Sequence, residues 1–290
     1  NLLIQTDVSA LNPSIALDLN DKAHVSYSDG SNLVYCNNTG GSWSCTDIET
    51  TSVISSPSIA IDSNNKSHIC HPITGGNLRY CNNTGGSWSC ITAEVNPEGD
   101  GSMGCSIAID SNDKSHIVSW IDSDTGTGSA LRLVYCNNTG GSWSCTEIDS
   151  VGDLGQGASI ALDSSNKVHI SYDNYVDTQG HKLGYCNNTG GSWSCTIIED
   201  NGGYSNSIAL DSSNKIHISH FNLNNDLRYC NNTGGSWSCA TADDTGSLTY
   251  SSIVIDSNNK VYISYIDVNP PVSLNFANNK NNTWSSISSI

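Results

Sequence analysis

The sequence predicts an all-β chain of six repeats with four strands each, and three observations carry that prediction. The segment Tyr-Cys-Asn-Asn-Thr-Gly-Gly-Ser-Trp-Ser-Cys occurs five times, starting at Tyr35, Tyr80, Tyr135, Tyr185 and Tyr229, and a decayed copy runs from Phe276 to Ser286. Its first cysteine position advances by 45, 55, 50, 44 and 47 residues, from Cys36 through Cys81, Cys136, Cys186 and Cys230 to Ala277. A second block, read first as Ser14-Ile-Ala-Leu-Asp18, a polar turn and His24-Val-Ser-Tyr27, recurs from Ser58, Ser106, Ser159, Ser207 and Ser252. No window sustains a 3.6-residue apolar period, so helix is expected to be nearly absent. A period of this length fits one four-stranded blade. Blades stacked radially hide both faces of each sheet and leave only short outer edges. The expected fold is therefore a six-bladed β-propeller of antiparallel blades, one domain over residues 1–290.

Each repeat parses in order. Strand A is the Ser-Ile-Ala-Leu-Asp run and strand B the His-Ile-Ser-Tyr run. Strand C carries Leu33, Leu78, Leu133, Leu183, Leu227 or Leu274, and strand D begins at the tryptophan. The runs are short, β-branched and bounded by Gly, Asn, Asp and Ser clusters. The A–B turns, such as Asp18 to Lys22 and Asp62 to Lys66, read as Asx turns in which the first Asp accepts from backbone two residues on. As calcium loops they lack the sixth-position Gly and the distant Glu of an EF-hand.

These repeats resemble those of secreted bacterial and archaeal propellers, with Ser-Ile-Ala-Leu-Asp, His-Ile-Ser-Tyr, Leu-x-Tyr and Gly-x-x-Trp in that order. The likeness covers nearly the whole chain. The Cys36-to-Trp43 segment also resembles the Asp-box of sialidase-type propellers, Ser-x-Asp-x-Gly-x-Thr-Trp, with Asn38 in place of its Asp and Cys36 in place of its Ser. That resemblance implies a structural C–D hairpin on the side away from any active face. Sialidase chemistry does not carry over. The only arginines, Arg79, Arg132 and Arg228, all lie on or near strand C.

Twelve cysteines are present. Cys36 and Cys45, Cys81 and Cys90, Cys136 and Cys145, Cys186 and Cys195, and Cys230 and Cys239 are each expected to bridge one hairpin, because opposed positions on paired strands meet the Cα separation of a disulfide. Zinc is disfavoured by the eight-residue gap. Cys70 and Cys105 are left to join neighbouring blades. That density of cysteines places the chain outside the cytosol, secreted or at a cell surface. The net charge of −17, from 11 basic and 28 acidic residues, argues against nucleic acid and anionic membranes as partners. No run is apolar enough to span a bilayer.

Asn37, Asn82, Asn137, Asn187 and Asn231 each open an Asn-Asn-Thr acceptor triplet at one hairpin position. Asn281 is a sixth acceptor and Asn65, in Asn-Lys-Ser, a seventh. Covalent glycans are expected there.

His24, His68, His116, His169 and His217 recur once per strand B and are expected to be inter-blade hydrogen-bonding groups, because one imidazole per blade is too widely spaced for a shared ion. His71, His181 and His220 fall outside that pattern. Trp43, Trp88, Trp143, Trp193, Trp237 and Trp284 read as blade packing. No nucleophile elbow or phosphate loop is found, so no catalytic residue, cofactor or metal is expected. The irregular part is a set of insertions before and within repeats three and four. They carry Glu98, Asp100, Asp122, Asp124, Asp153, Asp173 and Asp177 beside Trp120, Tyr172 and Tyr175. Trp120, Asp122, Asp124, Asp173 and Tyr175 form the expected ligand face, since binding residues gather on loops of rigid scaffolds.

Both ends offer a strand for the outer edge of repeat six: Trp284 to Ile290, and the segment holding Leu2, Leu3 and Ile4. The expectation is that both ends together zip the ring shut. The alternative is that Leu2, Leu3 and Ile4 pair with another subunit. The leading functional expectation is accordingly a non-enzymatic structural or adhesive surface glycoprotein, self-associating into a fibre or surface layer. A carbohydrate-binding propeller is the alternative and a glycosidase or lyase the third reading.

Overall fold

The computed structural model describes residues 11–50, 56–95, 102–122, 131–149, 153–176, 180–245, 247–280 and 283–288. They hold six four-stranded sheets with strands in chain order and antiparallel neighbours, and the described residues include no helix. The chain divides into two compact units, residues 1–150 and 151–290, with three sheets in each.

In the first unit, blade one comprises β1 (Leu11–Leu17), β2 (Ala23–Ser28), β3 (Asn32–Asn37) and β4 (Ser44–Thr50). Blade two comprises β5 (Ser58–Ile61), β6 (Ser67–Pro72), β7 (Leu78–Asn82) and β8 (Ser89–Glu94). Blade three comprises β9 (Ser102–Ile109), β10 (Ser115–Asp122), β11 (Leu131–Asn137) and β12 (Ser144–Asp149). In the second unit, blade four comprises β13 (Asp153–Leu162), β14 (Val168–Val176), β15 (Gly180–Asn187) and β16 (Ser194–Glu199). Blade five comprises β17 (Tyr204–Leu210), β18 (Ile216–Phe221), β19 (Leu227–Asn231) and β20 (Ser238–Asp243). Blade six comprises β21 (Leu248–Ile255), β22 (Val261–Asp267), β23 (Ser273–Lys280) and β24 (Thr283–Ser288). In five blades the fourth strand starts at the serine after the tryptophan, one residue later than the sequence parse, because the tryptophan still belongs to the hairpin.

Packing from blade to blade repeats a single arrangement. Leu33 and Tyr35 of β3 meet Ile59, Ile69 and Cys81 of blade two, and Leu183 and Tyr185 of β15 meet Ile208, Ile218 and Cys230 of blade five. The recurring tryptophans seal these contacts edge-on. Trp88 meets the Tyr35 ring at 4.8 Å, Trp143 meets Tyr80 at 4.8 Å, Trp237 meets Tyr185 at 5.1 Å and Trp284 meets Tyr229 at 5.0 Å. Such pairs contribute about 0.5–1.5 kcal/mol beyond their buried area.

All twelve cysteines are bridged. Five bridges staple hairpins between directly opposed residues, with Cα atoms 4.0–4.1 Å apart. The sixth, Cys70 to Cys105, spans 6.3 Å between Cα atoms and joins β6 to β9.

The A–B turns are built on their first aspartate. Asp18 Oδ1 accepts from the backbone N–H of Asn20 (2.8 Å) and Lys22 (2.9 Å), and Asp62, Asp110, Asp163, Asp211 and Asp256 do the same. The fourth turn residue, Asp21, Asn65, Asp113, Asn166, Asn214 or Asn259, is left-handed with φ between 58° and 61°, a conformation Asn and Asp tolerate best among side-chain-bearing residues. Among the described contacts, four of these side chains also reach the preceding blade of their own unit. Asn65 Oδ1 accepts from Leu19 N–H at 3.0 Å, Asp113 from Ser63 at 2.9 Å, Asn214 from Ser164 at 3.1 Å and Asn259 from Ser212 at 3.1 Å.

Among the described residues every sheet is made of four consecutive strands, and the outer edge of blade six is β24 alone. Leu2, Leu3 and Ile4 lie outside the described residues, as do Glu98, Asp100, Asp124, Asp177 and Asn281.

Candidate functional site

The strand B histidines are buried and bond first within their own blade. The Nδ1 atoms of His24, His68, His116, His169 and His217 lie 2.5–2.6 Å from the hydroxyls of Tyr35, Tyr80, Tyr135, Tyr185 and Tyr229. Their Nε2 atoms face the turn carboxylates of Asp18, Asp62, Asp110, Asp163 and Asp211 at 3.1–3.6 Å. The inter-blade role expected of them is secondary: Ser67 and Ser115 of the following blades approach His24 and His68 at 3.3 Å. Burial holds His68, His116, His169 and His217 below the ordinary imidazole range, although the facing Asp opposes it. Burial also raises the tyrosine hydroxyls. A Tyr–His–Asp string resembles a catalytic relay, but these groups sit within the sheets, and only His68 closes it with a hydrogen bond to its aspartate, while Nε2 of His24, His116, His169 and His217 has no hydrogen-bond partner among the described residues.

A second recurring set was not anticipated. Glu49 on β4 accepts from His71 Nε2 at 2.7 Å and from Arg79, whose Nε lies 3.0 Å away and whose Nη2 lies closer. Blade five repeats this with Glu199, His220 (2.9 Å) and Arg228. Burial works to raise each glutamate, yet the imidazole and guanidinium outweigh it and hold both carboxyls below their usual range. Cys81 and Cys230 stand close enough to complete a metal-ligand set, but their sulfurs are bonded to Cys90 and Cys239 and offer no thiolate. At the matching position of the next boundary, Glu94 has no such pair, and burial, partly opposed by Arg132, raises it.

The expected ligand face resolves into two places. In blade three, the half-buried Trp120 lies over Gly104, where any Cβ would enter the indole ring. Its Nε1 is buried and has no partner among the described residues. The backbone of Asp122 ends β10. In blade four, Asp173 stands where the second strand ends in blades one, two and five, and the longer β14 and β15 carry Tyr175 beyond it, the two lying opposite Leu183 and His181. Asp173 is 1% exposed, and His181 Nδ1 lies 2.9 and 3.0 Å from its two oxygens. Burial lifts Asp173 to about 6 against the opposing pull of His181. The imidazole is flanked by Tyr175 (ring centroids 4.5 Å apart) and by Tyr204 of β17 in blade five (4.1 Å). Burial first, then the nearby Asp173 and Tyr175, raises the Tyr204 hydroxyl. Within the second unit the structure therefore brings Asp173 and Tyr175 together and adds His181 and Tyr204, whereas Trp120 belongs to a sheet of the first unit.

The comparisons place this architecture. No family model matches the chain, and no curated protein matches it. Among solved structures, the lectin of Aleuria aurantia in complex with Fucα1-6GlcNAc is similar over 97% of this chain and 96% of its own, with a TM-score of 0.64 at 15% identity. The SapL1 lectin in complex with α-methyl fucoside is similar over 99% of each chain, with a TM-score of 0.63 at 12% identity. An ulvan lyase bound to -[GlcA(1-4)Rha3S]- is similar over 99% of this chain and 83% of its own, with a TM-score of 0.67 at 11% identity. The Aleuria lectin has a six-bladed β-propeller fold, and that is the fold of this chain, with four-stranded antiparallel blades and a hairpin disulfide in five of them.

Proposed function

We propose that the protein is an extracellular carbohydrate-binding propeller whose site lies at the loop ends of blades four and five. One observation carries the reading: a buried carboxylate–imidazole pair, Asp173 and His181, set between the partly exposed rings of Tyr175 and Tyr204. Tyrosine faces accept the apolar side of a sugar, and their hydroxyls, with a fixed polar edge, set its orientation. The sugar complexes of the lectins of this fold support the ligand class, and fucosides are the first to test. Six disulfides support an oxidising, extracellular setting. The Asp-box likeness of the hairpins supports the opposite, loop-bearing ends as the binding side.

This reverses the order of the two leading expectations. The fibre reading rests on Leu2, Leu3 and Ile4, which lie outside the described residues, and the lectin reading has a described site. The test is a glycan array followed by calorimetry on the best ligand. Tyr175→Ala and Tyr204→Ala should each weaken binding about tenfold, the size of one lost ring contact. An array without hits, or variants that bind as the parent does, overturns the proposal. Polymers in native particle images would return the fibre reading to first place, and turnover of an array polysaccharide would favour the lyase.

A further inference from the structure

The five hairpin triplets have two asparagines each, and the structure gives the two different work. The second, Asn38, Asn83, Asn138, Asn188 or Asn232, turns inward. Its Oδ1 accepts the backbone N–H of the first strand B residue or its neighbour, at Ala23, Ser67, Ser115, Val168 and Ile216, over 2.8–2.9 Å. The first, Asn37, Asn82, Asn137, Asn187 or Asn231, is held differently. Its Oδ1 accepts both the backbone N–H (3.1 Å) and the hydroxyl (2.5–2.6 Å) of the triplet threonine, at Thr39, Thr84, Thr139, Thr189 and Thr233. The amide nitrogen of that asparagine has no hydrogen-bond partner among the described residues, and every one of those threonines is exposed.

Asn65 satisfies the same three-residue pattern and is arranged otherwise. Its Oδ1 accepts from Leu19 N–H of the neighbouring blade. The hydroxyl that completes its triplet, on Ser67, is fully buried and donates to the Tyr35 hydroxyl at 3.2 Å. No Asn-to-hydroxyl bond forms there, and the turn is already docked. At Asn231, by contrast, a cleft of ≈ 240 Å³ opens beside the hairpin, lined also by Asn259, Val261 and Asn279, with room for a sugar against the protein.

We infer that Asn37, Asn82, Asn137, Asn187 and Asn231 are N-glycosylated in the native protein and that Asn65 is not. In each transfer the Nδ2 atom loses one proton and forms a bond to C1 of the reducing-end sugar. The C1–oxygen bond to the phosphate of a polyprenyl-phosphate-linked oligosaccharide donor breaks, and the phosphate leaves with the electron pair. The threonine bond to Oδ1 survives the reaction, so the hairpin is the same before and after. The sugars would stand at the hairpin end of each blade. In blade four that is the opposite end of the sheet from Asp173 and Tyr175, so modification leaves the proposed binding site open.

The experiment is site-by-site mass mapping of protein purified from its natural source. Sugar-bearing peptides are expected at the five hairpin asparagines, with the Asn65 peptide unmodified and the intact mass above 30.8 kDa. In a glycosylating expression host, Thr39→Ala should remove the modification at Asn37 and Thr39→Ser should retain it, a difference that a turn-closing role alone would not produce. An unmodified mass overturns the inference. So does occupancy at Asn65 equal to that of the hairpins, or a Thr39→Ser variant that loses its glycan as Thr39→Ala does.

Discussion

The Nδ1 atom of His181 lies 2.9 Å from the Oδ2 atom of Asp173, and that carboxyl is almost wholly withdrawn from water. Burial raises its titration to about 6, with His181 opposing, against an ordinary 3.8. The folded state thus holds this proton more tightly than the unfolded chain. The stabilisation is complete below the unfolded value and is lost as pH climbs to about 6, by at most about 3 kcal/mol. Asp173→Asn keeps an acceptor for His181 and removes that loss. The melting temperature of the variant minus that of the parent should rise between pH 4 and 6 and then level off. Parallel melting curves across that range would show that Asp173 does not titrate there.

Glu49 and Glu94 occupy equivalent places at successive blade boundaries and should respond oppositely to neutralisation. Glu49 is held below its usual range by His71 and Arg79, so its contribution is present at neutral pH and fades only as acid protonates it. Glu49→Gln at pH 7 should cost about 2–4 kcal/mol, the range for breaking a buried charged bond. Burial penalises the charged form of Glu94, so Glu94→Gln should cost nothing or stabilise. Urea midpoints of the two variants decide the matter, and equal losses would contradict it.

The bridge between Cys70 and Cys105 closes a longer stretch of chain than the hairpin bridges do, 35 residues against 9. In the chain-entropy account its removal costs about 4 kcal/mol, against about 2.5 kcal/mol for a hairpin pair. The double serine replacement of Cys70 and Cys105 should therefore lower the denaturation midpoint more than that of Cys81 and Cys90. The reverse order would mean that strain or residual structure dominates.

Gly104 lies directly beneath the Trp120 ring. Gly104→Ala should destabilise by about 1–3 kcal/mol through overpacking. Adding Trp120→Ala should relieve most of that cost, giving a coupling of opposite sign in the double-mutant cycle. Additive losses would show that the ring is not what excludes the methyl group.

Much of this architecture was legible in the sequence because the repeat writes the same local chemistry six times. Opposed cysteines nine residues apart can meet only across a hairpin, and short β-branched runs between Asn/Asp/Gly clusters leave no helix to build. The sites were less legible because they depend on what one sheet presents to the next. Tyr204 reaches His181 from the first strand of the following blade, 23 positions on, and no local pattern announces that meeting. The Glu49–His71–Arg79 set did leave a trace. His71 and Arg79 are separated by eight residues, as are His220 and Arg228, and a glutamate stands 21 or 22 residues before each histidine. Taken as isolated exceptions, those histidines hid a coincidence that only a comparison of two repeats would have exposed. Leu2, Leu3 and Ile4 show the opposite limit, since a short apolar run specifies a strand without specifying its neighbour.

The left-handed Asn or Asp in the first turn of a blade, seen where Asn65 grips Leu19 and Asn214 grips Ser164, gives four of the repeats a latch on the repeat before them. A gene copying error that inserts one whole repeat would supply a matching clasp along with the new sheet. Growth by entire modules is thereby built into the chain, and the count of units can change without any residue having to be reinvented.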